Sequence, residues 1–290
     1  MKYKILGKTG YKISCVMFGG VILMNESAEN SAEYVAHAIE NGVNYFDVAP
    51  SYGNAQERLG PALHPYRNQV YLACKTTERS REGSKKELLN SLKDLKTDHF
   101  DIYQMHSMTT QEDVDRAFSS DGVIETMLWA KREGLIRQIG FSTHSEDISL
   151  KIMDMFDFAT VLFPMNWAMG LNTGWGDRIA DKVREKGMGM LAMKTLVERR
   201  WLSGDDNKNL YPKSWCKPIH GDNMLAAAAV KYAFGKGAAS IVPPGNFEHF
   251  RHAVKHIDSC AEVPLTDEEL TYLKTVASRE DIRQNPVFKV

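Results

Sequence analysis

The stretch Asn44-Tyr45-Phe46-Asp47-Val48-Ala49-Pro50-Ser51-Tyr52 begins as an apolar strand and then changes character. Asp47 stands where the strand should end, and Pro50 keeps a helix from starting at once. Tyr52 follows, and Gly53-Asn54 opens the next segment. A carboxylate and a phenol are held at one strand end by a stiffened turn, an arrangement suited to proton chemistry. By themselves the same residues favour the plainer reading of a turn cap and a ring packed at a domain edge. Their neighbours decide between the two.

Outward from this stretch the pattern recurs. Upstream, residues 3–6 and 12–14 with Lys8-Thr9-Gly10 between them predict a hairpin, followed by a short strand, 16–18, ending in Gly19-Gly20. Residues 27–39 have helical spacing, with Ala32, Val35, Ala36 and Ile39 on one face, a cap at Ser27 or Ser31 and a stop at Asn41-Gly42. Downstream come helix 56–63, strand 70–74 ending in Lys75, and helix 84–95 with Leu88, Leu89, Leu92 and Leu95 on one side. Strand 100–105 ends in His106; helix 123–132 and strand 136–141, ending in Ser142-Thr143, follow. The alternation continues through 147–155, 159–163, 177–185, 188–193 (ending in Lys194), 223–234, 238–242 and 247–257. Thr266-Asp267-Glu268-Glu269 caps an extra C-terminal helix, and the tail 279–290 has no pattern. Strict alternation without a composition break predicts one α/β domain over 1–290: a (β/α)8 TIM barrel with an N-terminal β-hairpin and that extra helix. A doubly wound open sheet is the alternative; the absence of Gly-x-Gly-x-x-Gly after the first strand argues against its dinucleotide-binding form.

Composition bounds the partners. The chain has 290 residues and net charge −1, with 43% hydrophobic and 25% charged residues, an ordinary soluble composition. Near-zero charge gives no electrostatic case for nucleic acid or an anionic membrane. No run approaches the ~20 apolar residues of a membrane helix, and the N-terminus has no apolar signal region. Cys15, Cys74, Cys216 and Cys260 are far apart with no Cys-x-x-Cys, against zinc or iron–sulfur ligation and against a disulfide framework. A cytoplasmic protein acting on a small molecule is expected.

In a barrel of this kind the working groups stand at the C-terminal ends of strands. Those ends present Gly19-Gly20, Asp47 with Tyr52, Lys75, His106 and Ser142-Thr143. A phenol is a poor acid at neutral pH, and a nearby ammonium lowers its pKa. Lys75 is the candidate ammonium, Asp47 the carboxylate that keeps it charged, and His106 the group that orients a carbonyl or donates to the phenol oxygen. Together they make a general acid for an oxygen that becomes negative, as when hydride adds to a carbonyl, with Tyr52 supplying the proton. Each residue alone has a plain structural role open to it; their succession at consecutive strand ends favours the chemistry. His249, His252 and His256 have metal-binding spacing on one helix but no local carboxylate or cysteine to complete a set. A solvated or phosphate-facing side is expected there, and no metal.

The chain resembles the aldo-keto reductase superfamily. The resemblance lies in Lys4-Ile5-Leu6-Gly7-Lys8-Thr9-Gly10, Phe18-Gly19-Gly20, the opening stretch through Gly53, and Ala73-Cys74-Lys75-Thr76. It continues in Asp101-Ile102-Tyr103-Gln104-Met105-His106 and Gly140-Phe141-Ser142-Thr143-His144. The family's Asp, Tyr, Lys and His fall on Asp47, Tyr52, Lys75 and His106. The resemblance implies a (β/α)8 barrel whose hairpin closes its bottom, and NAD(P)H-dependent reduction of an aldehyde or ketone with Tyr52 as proton donor. It also implies NADP(H) in preference to NAD(H). The cofactor would meet Gly20, Asp47, Ser142, Thr143, Lys194, Leu196, Gly245, Asn246 and His249. Of these, Ser142 and Thr143 would hold the carboxamide, and Lys194 and Leu196 the pyrophosphate. Gly245-Asn246 would lead a helix N-terminus suited to phosphate, with His249 or Arg251 at the 2′-phosphate. The chain departs from the family pattern at Thr143 (commonly asparagine), Met193 (tyrosine), Leu162 (glutamine) and Arg251-His252 (Glu-Asn). The long connection 197–222, with Trp201, Tyr211 and Trp215, is expected to fold over the site, Trp167 and Trp175 adding an apolar wall. A cofactor-binding regulatory protein on the same barrel is the alternative function, and a Schiff-base lyase or isomerase using Lys75 a third.

Overall fold

In the computed structural model, which describes residues 1–205 and 208–288, the chain opens with an antiparallel hairpin. Asp206 and Asn207 of the long connection and Lys289 and Val290 of the tail lie outside the described residues. Strand β1 (Tyr3–Ile5) pairs with β2 (Lys12–Ser14), Tyr3 facing Ser14 and Ile5 facing Lys12. The turn between them holds Gly7 at φ +48 and Gly10 at φ +72. Gly7 lies so close to Met188 and Gly189 that a Cβ on it would come within 2.3 Å of their backbone, and the Lys8 amide donates to the Gly187 carbonyl at 2.7 Å. The hairpin is thereby seated at the entry to a barrel strand. It presses Leu6 and Ile13, both fully buried, into the barrel bottom beside Tyr45, Ala73, Ile102 and Leu191.

Eight parallel strands follow around the barrel in chain order. They are β3 (Phe18–Gly19), β4 (Tyr45–Asp47), β5 (Tyr71–Thr76), β6 (Phe100–Met105), β7 (Ile136–Ser142), β8 (Thr160–Pro164), β9 (Gly189–Met193) and, last, β12 (Ala238–Ile241). Between the last two lies an antiparallel pair, β10 (Val197–Arg200) and β11 (Cys216–Pro218). The barrel strands are apolar runs because both faces are covered. The two edges of the sheet meet: Val16 bridges Ile241 in parallel. The Met17 amide donates to the Ile241 carbonyl, and the Ile241 amide to the Cys15 carbonyl, both at 3.0 Å. The barrel is closed, and the open doubly wound sheet is excluded.

Around it stand α1 (Ala28–Glu40), α2 (Ala55–Leu63), α3 (Arg81–Asp94), α4 (Gln111–Ala117), α5 (Val123–Arg132) and α6 (Glu146–Met155). They are followed by α7 (Trp167–Thr173), α8 (Asp177–Glu185), α9 (Asn223–Gly235), α10 (Phe247–His256), α11 (Asp267–Ala277) and α12 (Glu280–Arg283). Many starts are written in the sequence. Ser27, Ser80, Thr110, Ser145, Asn166, Asp222, Asn246 and Thr266 each accept an N–H from the helix they precede. Thr266 and Glu269 form the expected capping box of the C-terminal helix.

Several details differ from expectation. The buried face of α1 is Ser31, Val35 and Ala38, while Ala32 is exposed. Ser31 can turn inward because its hydroxyl donates to the Ser27 carbonyl at 2.7 Å. Leu89 of α3 is 45% exposed. The connection 197–222 carries β10 and β11, and the tail carries α12 and a buried Val287. The short helices α4 and α7 were not expected; each is two turns or less inside a loop, too short for periodicity to register.

The two turn glycines make a test of the plug. Gly10→Ala meets open space and carries only the left-handed strain, so a loss of about 1 kcal/mol is expected. Gly7→Ala adds a backbone collision, for about 3 kcal/mol or more. Urea unfolding of both variants checks the order; equal losses would contradict the seating of Gly7.

Candidate active site

The strand ends converge on a cavity of about 380 Å³. Asp47 closes β4. Ala49-Pro50-Ser51-Tyr52 then makes a β-turn, the Tyr52 amide donating to the Ala49 carbonyl at 3.1 Å, with Pro50 at the position its fixed φ suits. Gly53, at φ +56, redirects the chain into α2. The phenol is thus carried back over the end of its own strand. Lys75, fully buried on β5, sets its ammonium on the Asp47 carboxylate and 3.4 Å from the Val48 carbonyl. The second Asp47 oxygen accepts from Gln104 Nε2 at 2.9 Å. Lys75 Nζ lies 5.4 Å from the centre of the Tyr52 ring. The His106 ring stands edge-on to that ring, centroids 6.0 Å apart at 79°.

Burial sets the protonation of this group. It pulls Lys75 toward losing its proton, but the Asp47 carboxylate and then Tyr52 outweigh it and hold the lysine above its ordinary value. Tyr52 moves against the sequence expectation. Burial pushes the phenol up, and the opposing pull of Lys75 does not cancel it. The ammonium alone would lower the phenol, but loss of water around it is the larger effect. The phenol is therefore held protonated at neutral pH, the form a proton donor needs. His106 is pushed down to about 3 by burial, with Lys75, His144 and Arg79 adding to it. It is a neutral imidazole whose buried Nδ1 has no partner among the described residues.

Of the cofactor residues expected from sequence, Asp47, Ser142, Lys194, Leu196 and Gly245 line this cavity, as do Leu162 and Met193. Gly20, Thr143 and Asn246 do not. Gly20 packs against Val48, where a Cβ would come within 2.7 Å of its side chain. The Thr143 hydroxyl is used inside the fold, donating to the Met108 carbonyl at 2.5 Å and accepting from the Ser145 amide at 3.0 Å. Asn246 caps α10, accepting from the Glu248 and His249 amides at 2.8 and 3.4 Å. His249 lines a second cavity, of about 840 Å³, with Tyr211, His220, Arg251 and His252. Among the described residues no group of three or more His, Cys, Asp or Glu is placed to hold a metal ion.

The long connection lies over the mouth. It carries Trp215 to 5.8 Å from the Tyr52 ring, and Lys213 fastens it to the Ile22 carbonyl at 2.7 Å and to Glu26 at 2.5 Å. The expected wall of Trp167 and Trp175 is absent from the cavity lining. Trp167 is buried with Leu225 and Leu273 in a cluster between helices. Trp175 stacks on Phe163 and donates to the Pro164 carbonyl at 2.9 Å. Among the residues missed from sequence, three stand out in and around the site. His144 lines the cavity and is pushed down to about 4 by burial and by Lys194; its signal was its place directly after Ser142-Thr143. Gln104 holds Asp47 from a position two before His106, on the same face of β6. Phe288 meets both His144 and Trp175 edge-on, and nothing in the patternless tail announced it.

Comparison with known proteins agrees with this architecture. A profile of the aldo/keto reductase family matches residues 16–278. The uncharacterized oxidoreductase YqkF of Bacillus subtilis is 32% identical over 157 residues, covering 49% of each protein. The aldo-keto reductase YhdN of the same organism is 30% identical over 175 residues, 54% of this chain and 50% of that protein. These matches span about half the length of the curated relatives. Among solved structures, the holo form of an aldo-keto reductase from Bacillus halodurans covers 98% of this chain and 99% of its own, at a TM-score of 0.74 and 21% identity. That likeness concerns the fold.

The buried imidazoles predict a pH dependence. With folded values of about 3 for His106 and about 4 for His144 against an ordinary 6.5, the unfolded chain takes up protons that the folded one refuses. Their contribution to stability is complete above pH 6.5 and falls as the pH drops toward 4. His106→Asn should remove about one proton of this uptake and flatten the slope of stability against pH. Urea titrations across that range measure it; an unchanged slope would count against a buried neutral His106.

Proposed function

The chain belongs to the aldo/keto reductase family, and on that premise we propose that it reduces an aldehyde or ketone to an alcohol with NAD(P)H, Tyr52 giving the proton. The observation that carries this reading is a buried, paired ammonium 5.4 Å from the ring of a phenol that lines the cavity. The nicotinamide, when bound, supplies the hydride. The chain's own groups do the rest. Tyr52 passes its proton to the carbonyl oxygen as negative charge gathers there, and Lys75 stabilises the phenolate left behind. Asp47 keeps Lys75 charged for that moment. His106 donates a hydrogen bond to the same carbonyl oxygen and so fixes its direction. Trp215, Leu196 and Val242 give the cavity apolar lining.

The donor set fits a dinucleotide. The Ser142 oxygen accepts from the Ser107 amide at 3.0 Å, and its hydrogen remains for a carboxamide. Lys194 brings a cation to the cavity, suited to a pyrophosphate, and Leu196 and Gly245 line the same wall. In the second cavity His249, whose buried Nδ1 has no partner among the described residues, and Arg251 suit a 2′-phosphate, which favours NADPH over NADH. Gly20, Thr143 and Asn246 hold the loops behind this surface.

Tyr52→Phe should lower kcat by about 10³-fold while leaving dinucleotide affinity nearly intact. Turnover is read from dinucleotide oxidation across a panel of aldehydes and ketones, and affinity from tryptophan emission, to which Trp215 contributes. Equal kcat in both proteins would remove Tyr52 as the acid, and failure of both NADPH and NADH to bind would sink the whole reading.

A further inference from the structure

Ser107, next to His106, sits at φ +53, a left-handed backbone that strains any residue with a side chain. Hydrogen bonds on both sides keep it there. The His106 amide donates to the Thr76 carbonyl at 2.8 Å, and the Ser107 amide to Ser142 Oγ at 3.0 Å. On the other side stands Arg79. Its Nη2 donates to the carbonyls of His106 at 2.6 Å and Ser107 at 3.3 Å. Its Nη1 donates to the carbonyls of Thr77 at 3.0 Å and Thr76 at 3.5 Å, and Nε donates to Asp113 at 2.9 Å. One guanidinium thus gathers four carbonyls from the ends of β5 and β6, the strands that carry Lys75 and His106. Its backbone is tied down: the Arg79 carbonyl accepts from the Val123 amide at 2.9 Å, and the Arg81 amide donates to the Asp121 carbonyl at 2.8 Å. Asp113 is fixed in turn by the Thr109 and Thr110 amides, each at 3.1 Å.

We propose that Arg79 is a positioning residue, a clamp that sets His106 against Tyr52 without touching substrate. The inference rests on the carbonyl-reductase reading above. Four carbonyl oxygens and a carboxylate turned toward one point repel one another unless a cation lies between them. Without the guanidinium, Ser107 is free to leave its strained backbone, and the His106 ring turns with it. Lysine keeps the charge but lacks the planar fork, so it satisfies only part of the set.

The test compares Arg79→Ala and Arg79→Lys with the wild type, with and without low concentrations of guanidinium ion. Three quantities are read: kcat, KM for the dinucleotide, and the imidazole NMR signal of His106, assigned by its loss in His106→Asn. Arg79→Ala should shift the His106 signal and lower kcat by about 100-fold, with a smaller rise in KM for the dinucleotide because the Ser107 amide also holds Ser142. Guanidinium ion should restore both the signal and the rate, and Arg79→Lys should fall between. A His106 signal that stays in place overturns the clamp, whatever happens to the rate. Because that signal needs no turnover, a wild type that fails to oxidise a dinucleotide refutes the reductase reading while the NMR still decides the role of Arg79. If Arg79→Ala does not fold, the signal in Arg79→Lys decides in the same way.

Discussion

A lysine with no solvent exposure, paired to a nearly buried aspartate, is the constraint on which the mouth of this barrel depends. Such a pair adds little net stability, because desolvating both charges offsets their attraction, yet removing one partner costs about 3–5 kcal/mol. Each member is therefore surrounded by obligations. Lys75 has the Val48 carbonyl beside it, and Asp47 has the amide of Gln104. Tyr52 and His106 stand next to the pair and stay neutral. The full charges of the floor are thus confined to one ion pair. The phenolate is disfavoured at rest and becomes tolerable only when the proton has somewhere to go.

Much of the fold was legible because alternation is a coarse signal that survives local errors. Polar groups at strand ends were legible for the same reason, since a run such as residues 100–105 announces where it stops. What failed did so for identifiable reasons. On α1, apolarity alone pointed to Ala32, whereas the small Ser31 turned inward with its hydroxyl satisfied by the preceding turn. At the end of β7, Ser142 and Thr143 were taken together, but successive side chains of a strand face opposite ways, so only one lines the cavity. Gly20 packs against Val48 and Asn246 caps α10, so both also carry structural roles that the order of residues does not separate from ligand contacts. Burial was weighed for Lys75 but not for the phenol, which is why Tyr52 moved in the unexpected direction. Long-range partners such as Phe288 leave no periodic trace.

The floor and the cover of the site come from opposite ends of the chain. Asp47 and Tyr52 stand early, while Trp215 and Gly245 come late. The fastening between the two regions is tight: Lys213 reaches back to Ile22 and Glu26. A Cβ on Gly245 would come within 2.4 Å of the Lys213 carbonyl. The cover is thereby referenced to the first loop of the barrel and to its last wall at once.

The bridge between Val16 and Ile241 has a bearing on how the protein comes into being. It joins residues more than two hundred positions apart, the kind of contact that a growing chain makes last. Until it forms, the sheet has two bare edges. The residues that follow it directly, Val242, Pro243, Pro244 and Gly245, are also a wall of the cavity. A nascent chain therefore carries the groups of the floor well before the wall that completes the pocket. Closing the barrel and completing the pocket are one event, and a chain stopped before residue 238 would lack both.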